Sequence, residues 1–346
     1  MESWLETFYA DLHWILLGAV IIVSLYVLGK AADLLVDEAV DLSERSRIPK
    51  TVIGATVVSL GTTTPEVAVS VMAAVQGSPD LALGNAAGSV ICDTGLILGI
   101  AALIAPLRLD RTIVNRQGWI QFASGFLLVL ACIDWSDPLA SLTRGGNLPQ
   151  WMGFAFLGLL IAYLYQSMVW SRADGMEAEL PHHHEEHDPI WLTLVKLAGA
   201  IAVVVLSAQA LIPAVTEAAL RMNIPESIIA ATLVAFGTSL PELVTSVTAA
   251  RKGHGELAVG NIVGADILNV LFVSGASAAV TSAGLDAGPQ FFRVVFPMML
   301  FMLTVFRVGI FLSGSHMRRP FGWVLLIAYA VYLVVGYAFP GSEGGM

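Results

Sequence analysis

The chain has 346 residues, of which 56% are hydrophobic and 13% are charged, and its formal net charge is -10. An ordinary globular domain carries about 25% charged residues, so this composition excludes a water-soluble or disordered chain and indicates a membrane protein. The 17 Lys and Arg residues form no dense basic cluster, which argues against a nucleic-acid partner. Cys92 and Cys132 both lie in apolar stretches and do not indicate a disulfide framework.

Ten segments approach the length of about 20 apolar residues that a helix needs to cross a bilayer. The predicted fold class is therefore all-α, a polytopic membrane protein with ten transmembrane helices. Turn-forming and charged residues separate the segments. The predicted spans lie near residues 14–29, 52–74, 81–104, 118–134, 151–170, 190–212, 226–250, 256–281, 291–312 and 322–338.

The positive residues predict how these spans are oriented, because cytoplasmic loops retain Lys and Arg. One set of alternate loops holds twelve of them and the other set holds three. Both termini are therefore predicted to lie on the extracytoplasmic side of a cell (inner) membrane. The loops with fewer positive residues contain only Arg144, Arg221 and Arg293.

The longest cytoplasmic loop, residues 171–189, divides the chain into a five-helix half at 1–170 and another at 190–346. This linker contains four His and six acidic residues. Such a composition offers ligands to a transition metal, although acidic and His-rich loops are commonly soluble spacers. The segment from His184 to His187 does not have the HExxH spacing of a zinc hydrolase.

The sequence contains an internal repeat. Residues 48–95 align with 224–271 at a constant offset of 176 without gaps, and 21 of the 48 positions are identical. The shared residues include Thr, Pro, Glu and Asn, which an apolar bias does not explain. Because each half has an odd number of spans, the two copies are predicted to have opposite orientations. Inverted repeats are a transporter architecture with the site at the midplane.

Each copy places one glutamate near the bilayer centre. Glu66 ends GTTTPE and Glu242 ends GTSLPE, and an acid at that depth costs about 2.5 to 3.5 kcal/mol. Pro65 and Pro241 lack the backbone N–H and free a carbonyl one turn earlier, which predicts a broken helix beside a polar cavity. The hydroxyl residues that share a helix face with these glutamates are Thr62, Thr63, Thr238 and Ser239.

The next helix of each copy supplies further oxygen ligands. GNAAGSVICD (84–93) carries Ser89 and Asp93 on one face, and GNIVGADILN (260–269) has Asn269 at the position of Asp93. The glycines four residues apart permit close helix packing. Carboxylates, hydroxyls, an amide and carbonyls are hard ligands that fit Ca²⁺ and Na⁺ rather than Zn²⁺ or Cu⁺.

Several of these polar residues also have structural interpretations, which the sequence leaves open. The hydroxyls can bond back to a helix carbonyl, and Asn85 and Asn261 can serve helix packing. Asp266 aligns with Val90 of the first copy and lies three residues before Asn269. It is a candidate for a lone intramembrane acid or a proton carrier.

The GT-x-x-PE and GN-x-x-G segments of both copies resemble the cation/calcium exchanger superfamily, and within it the prokaryotic sodium/calcium exchangers. The resemblance implies that Glu66 and Glu242 bind Ca²⁺ or Na⁺, and that the carbonyls of Ser59 and Ala235 are backbone ligands. It also implies that spans 1 and 6 slide across the other eight. The hydroxyls that match sodium ligands of the family are those of Thr62, Thr63, Thr238, Ser239 and Ser89.

Two positions depart from the family pattern. Similar prokaryotic exchangers often have Asn in the first copy and Asp in the second, where this chain has Asp93 and Asn269. Ala265 stands where the family has a Ser opposite Ser89, so one sodium-binding hydroxyl is missing. Potassium-dependent relatives carry Asp at the position of Asn269, and calcium/proton relatives carry a GN-x-x-E variant. The resemblance therefore disfavours potassium dependence, and it weakens the case for proton coupling without removing it.

The sequence predicts a secondary antiporter that exchanges Na⁺ for Ca²⁺ by alternating access, without covalent chemistry or an organic cofactor. The expected partners are Ca²⁺, Na⁺ and the lipid bilayer, with no obligate protein partner indicated. The alternative within transport is Ca²⁺/H⁺ or Na⁺/H⁺ exchange, in which Asp93 or Asp266 would titrate. A cation channel and an intramembrane enzyme are disfavoured, because the spans contain neither a symmetric pore motif nor a nucleophile with a base.

Overall fold

The computed structural model describes residues 8–174, 189–222 and 237–338, and this part of the chain is mostly helical. Most of the predicted linker, and Ala235, lie outside the described residues. The helices are α1 Trp14–Ser46, α2 Lys50–Thr62, α3 Thr64–Val75, α4 Pro79–Ile104, α5 Arg111–Cys132, α6 Ser141–Arg144, α7 Gln150–Asp174, α8 Ile190–Arg221, α9 Leu240–Arg251, α10 Gly255–Ala279, α11 Phe291–Leu312 and α12 Arg319–Ala338.

The described helices make a polytopic membrane protein. Six of them, in the ranges that the structure covers, are long and apolar enough to cross a bilayer, and the bent pair α2 and α3 raises the number to seven. The most apolar part of α10 is 94% buried and that of α4 is 72% buried, whereas the corresponding parts of α1, α7 and α8 are each 28% buried. The two helices with the GN-x-x-G segments therefore lie at the centre of the bundle, and α1, α7 and α8 lie at its periphery.

The first helix is longer than the sequence predicts. We expected a span near 14–29, but α1 continues for 33 residues to Ser46 and ends where Arg47 adopts a left-handed conformation with φ of 55°. Its second half is charged, and these charges have partners on other helices. Glu38 pairs with Lys196 of α8 at 3.5 Å, and Asp37 pairs with Lys252 beside α9 at 2.8 Å. Such pairing allows a polar helix to continue against the bundle.

Glycines bring α10 into direct contact with α2. A Cβ atom on Gly260 would lie 2.2 Å from the carbonyl oxygen of Thr51, and one on Gly264 would lie 2.5 Å from that of Ala55. Only glycine permits this separation between the two backbones. The repeat offset places the counterparts of Thr51 and Ala55 at residues 227 and 231, outside the described residues.

Two short antiparallel ribbons connect the helices. Strand β1 (Leu107–Arg108) pairs with β4 (His316–Met317), and β2 (Gly146–Leu148) pairs with β3 (Leu285–Ala287). The first ribbon joins the end of α4 to the start of α12, and the second joins the segment before α7 to the segment before α11. Each ribbon thus ties the N-terminal half to the C-terminal half.

Candidate functional site

Both motif glutamates lie in the first turn of a helix, and the first of these helices, α3, starts immediately after a break. Helices α2 and α3 meet at an angle of 45°, and Glu66 is the third residue of α3. Glu242 is likewise the third residue of α9. Each side chain is 1% exposed. The prolines before them need no N–H partner in a first turn, and a carboxylate at a helix N-terminus is favoured by the helix dipole.

The structure joins the two motifs through a hydroxyl. The side-chain oxygen of Thr63 donates a hydrogen bond to Oε1 of Glu242 at 3.3 Å, although the two residues are 179 positions apart. The hydroxyl of Thr62 also lies beside Glu242, and it bonds back to the Ser59 carbonyl at 3.4 Å, which is the structural interpretation that the sequence left open for the hydroxyls. Ser239 is fully buried beside the second motif. The first motif thus reaches the glutamate of the second.

The asparagines of the GN-x-x-G segments hold neighbouring helices together. Asn85 donates from Nδ2 to the hydroxyl of Ser70 at 2.9 Å, and Asn261 donates in the same way to Ser246 at 3.1 Å. These bonds connect α4 to α3 and α10 to α9. Thr238 donates to Oδ1 of Asn85 at 3.3 Å, so the first asparagine also contacts the second motif. The amide nitrogens of both asparagines therefore serve helix packing.

Asp93 and Asn269 are direct neighbours. Nδ2 of Asn269 donates to Oδ2 of Asp93 at 3.3 Å. Asn269 is 1% exposed, and Asp93 is fully buried. Each residue lies at the beginning of a π-helical turn, at Cys92–Ile97 in α4 and at Asn269–Ser274 in α10. Such turns are frequent at functional sites. Ser89, one turn before Asp93, is also buried.

Several buried oxygens in this cluster have no hydrogen-bond partner among the described residues. They include both carboxylate oxygens of Glu66, Oε2 of Glu242, Oδ1 of Asp93 and Oδ1 of Asn269. A buried carboxylate without partners is strongly unfavourable unless a cation or a proton compensates it. Within the described ranges, however, no three His, Cys, Asp or Glu side chains form a group that could hold a metal ion. A cation here would need hydroxyl, amide or carbonyl oxygens besides carboxylates.

A second polar cluster surrounds Asp266, which is 1% exposed. Thr94 of α4 and Gln121 of α5 both donate to its Oδ2, and its Oδ1 has no partner among the described residues. Gln117, one turn before Gln121, accepts a hydrogen bond from the hydroxyl of Tyr163 at 2.8 Å. The sequence analysis did not predict that Thr94 and Gln121 contact Asp266. The signal that could have indicated it is the pair of glutamines four residues apart in an apolar helix, since that spacing places both on one helix face.

Comparison with known proteins identifies the family. A model of the sodium/calcium exchanger proteins matches residues 16–169 and 192–338. The chain belongs to the sodium/calcium exchanger family. It is 30% identical to the inner membrane protein YrbG of Escherichia coli over 93% of this chain and 97% of that protein. It is 28% identical to the sodium/calcium exchanger MaX1 of Methanosarcina acetivorans, over 91% and 97% of the two chains.

A further relative is similar in sequence, and a solved structure is similar in fold. The putative antiporter CaxA of Alkalimonas amylolytica is 30% identical over 90% of this chain and 96% of its own length. A solved structure of the sodium-calcium exchanger NCX_Mj, soaked with Na⁺ and no Ca²⁺, superimposes with a TM-score of 0.77 at 26% identity, covering 92% of this chain and 98% of that chain. The protein is therefore a cation antiporter of the membrane, and its ions are substrates rather than cofactors.

Proposed function

We propose that the protein exchanges Na⁺ for Ca²⁺ across the membrane by alternating access. The observation that carries the proposal is the hydrogen bond from Thr63 to Glu242, because it brings the two motifs together around buried carboxylate oxygens that have no described partner. The relatives named as sodium/calcium exchangers support the same pair of ions. The proposed carboxylate and amide ligands are Glu66, Glu242, Asp93 and Asn269.

The charges of the site explain how two ions would be coupled. Glu66, Glu242 and Asp93 carry three negative charges when ionised, and a buried charge is costly unless it is compensated. Several Na⁺ ions, or one Ca²⁺ ion, would compensate most of this charge. Only a compensated site can be closed to water at a low free-energy cost. The two ions therefore compete for one site, and the competition couples their movements. The further proposed ligands are the hydroxyls of Thr62, Thr63, Thr238, Ser239 and Ser89 and the carbonyls of Ser59 and Ala235.

An inverted repeat of two five-helix halves is the architecture that we propose for this mechanism. The helix bounds support it. Helix α3 spans 64–75 and α9 spans 240–251, so both ends of the two helices differ by the repeat offset of 176. Helices α4 and α10 begin at 79 and 255, which is the same offset. Asp93 and Asn269, which hydrogen-bond to each other, are also 176 positions apart. An odd number of spans in each half would invert the second copy and place the site near the midplane.

Proton coupling is the alternative, and Asp266 is the residue that favours it. Its Oδ1 is buried without a described partner, while Thr94 and Gln121 hold Oδ2. A proton on Oδ1 would remove the cost of the buried charge. Counterflow of Ca²⁺ at constant Na⁺ and varied pH separates the two mechanisms. A Ca²⁺ flux that follows the proton gradient, and not the Na⁺ gradient, would favour proton coupling.

Flux into liposomes tests the proposed exchange. Purified protein is reconstituted into vesicles loaded with Na⁺ and diluted into Ca²⁺ with either Na⁺ or choline outside, and uptake of radioactive calcium is measured. We expect rapid uptake only with the outward Na⁺ gradient. Equal uptake in both solutions would exclude Na⁺ coupling, and vesicles with the Glu66→Gln variant control for leakage.

A further inference from the structure

A groove opens between α1, α4 and α9 at the β1–β4 end of the bundle, with a volume of about 740 Å³. Its walls are mainly apolar and include Tyr26 of α1, Ile100 of α4 and Val247 of α9. It is separate from the cluster of motif carboxylates, none of which lines it. The groove is thus an apolar recess between transmembrane helices, apart from the motif carboxylates.

Positive side chains dominate one edge of this groove. Lys30, Arg251 and Lys252 line it, against one lining acid, Asp33. Lys252 is compensated by Asp37 at 2.8 Å and lies 3.7 Å from Asp33. Lys30 lies 4.0 Å from Asp33 and is well exposed, with a side-chain exposure of 65%. Arg251 forms no ion pair with any residue in the described ranges, so the edge has an uncompensated positive charge.

An amphiphile with a negative head matches this combination. The apolar walls can take an acyl chain, and guanidinium and ammonium groups at the membrane surface bind phosphate. A free anion would use the charged edge and leave the apolar recess unfilled. A zwitterionic lipid would fill the recess, but its head has no net charge to compensate Arg251 and Lys30. We propose that the groove between α1, α4 and α9 binds one anionic phospholipid, with its phosphate at Arg251 and Lys30 and an acyl chain along Val247.

Such a lipid would bridge two parts of the bundle. Helix α1 belongs to the periphery and packs extensively against α8, whereas α9 carries the second motif glutamate. The lipid would contact α1 through Lys30 and Tyr26, and α9 through Arg251 and Val247. It therefore adds an attachment between α1 and α9 beside the one that Lys252 makes with Asp37.

Native mass spectrometry of the purified protein tests the proposal directly. The protein in detergent is titrated with dioleoyl phosphatidylglycerol or with dioleoyl phosphatidylcholine, which have the same chains and differ in head charge. We expect one phosphatidylglycerol molecule to be retained about tenfold more tightly than phosphatidylcholine, which corresponds to about 1.4 kcal/mol. Equal retention of the two lipids would overturn the proposal, since the positive edge would then select nothing.

Variants assign the binding to this groove. Lys30→Gln combined with Arg251→Gln should reduce the preference for phosphatidylglycerol about tenfold, and Val247→Phe should reduce retention of both lipids by filling the recess. Arg318→Gln removes an exposed charge near the same end of the bundle but outside the groove, and it should leave retention unchanged. An equal loss in the Arg318 variant and in the groove variants would contradict the assignment.

Two further measurements complete the test. Inorganic phosphate at millimolar concentration should not displace the lipid, and displacement would show a simple anion site instead. Thermal unfolding of each variant without added lipid verifies that it is folded. Because the readout is lipid retention and not ion flux, it is independent of whether the antiporter uses Na⁺ or H⁺.

Discussion

Glu66 and Glu242 combine full burial with a position in the first turn of a helix. The backbone N–H groups of such a turn favour a negative charge. Neither carboxylate is compensated by a positive side chain in the described structure, and three of their four oxygens have no partner there. A cation or a proton would compensate these two carboxylates.

Replacement of either glutamate by glutamine should abolish Ca²⁺ uptake. Glutamine keeps the shape of the side chain but removes one charge, and the loss of a buried charged partner costs about 2 to 5 kcal/mol, which is more than tenfold in affinity. Radioactive calcium uptake by reconstituted Glu66→Gln and Glu242→Gln proteins measures this. Glu44→Gln, on the exposed end of α1, is the matched control. Near-normal uptake by either motif variant would assign the glutamates a structural role.

Because Asp93 and Asn269 are in direct contact, we predict the effect of swapping the two side chains. Asp93→Asn should impair uptake by removing a carboxylate, and Asn269→Asp should alter ion preference by adding one. The double variant places the carboxylate on the other side of the same contact and should recover substantial activity, with a coupling of about 1 to 3 kcal/mol. Uptake by all four proteins at matched amounts is compared. A double variant no better than the worse single variant would contradict a shared site.

At the scale of helices, the glycines of the second GN-x-x-G segment determine how closely two helices pack. Gly260 and Gly264 bring α10 against the backbone of α2, next to Ser59 and the turns that precede Glu66. This contact positions the first motif relative to the second, because α10 also carries Asn269. Close backbone packing thus supports the geometry of the polar cluster.

Gly264→Ala should destabilise the protein and reduce uptake. The new Cβ would lie 2.5 Å from the Ala55 carbonyl oxygen and 2.6 Å from the Ser59 hydroxyl, so α2 and α10 must separate, and overpacking of this kind costs about 1 to 3 kcal/mol. Thermal unfolding in detergent measures the loss. Gly158→Ala, at an exposed helical glycine with no described atom within 4 Å, should keep the wild-type unfolding temperature. An equal effect of the two substitutions would refute the close-packing argument.

At the scale of the whole molecule, the distribution of Lys and Arg predicts how the protein is oriented in the membrane. Cytoplasmic loops retain positive residues, so the linker at 171–189 should face the cytoplasm and the loop at 136–148 should face outward. An impermeant thiol reagent applied to intact cells should modify Ser136→Cys and spare Gly175→Cys. The two native cysteines are buried and give little background. Labelling of Gly175→Cys from outside would reverse the orientation.

The repeat explains why so much of the polar cluster could be predicted from the sequence. Shared Thr, Pro, Glu and Asn residues at a constant offset single out the candidate segments, because polar groups inside a membrane are costly and rare. The π-helical turns that contain Asp93 and Asn269 were not predictable, since single-turn changes in helical hydrogen bonding leave no periodic pattern.

The sequence by itself determined the membrane-embedded class, the paired motifs and the oxygen-rich chemistry of the candidate site, because composition and internal similarity are properties of the chain alone. Only the tertiary structure decided that Thr63 reaches Glu242 and that Thr94 and Gln121 hold Asp266. It also decided that α1 continues to Ser46, since its charged half has partners on α8 and beside α9. These contacts join residues far apart in the chain, and they depend on how the helices pack rather than on any local pattern.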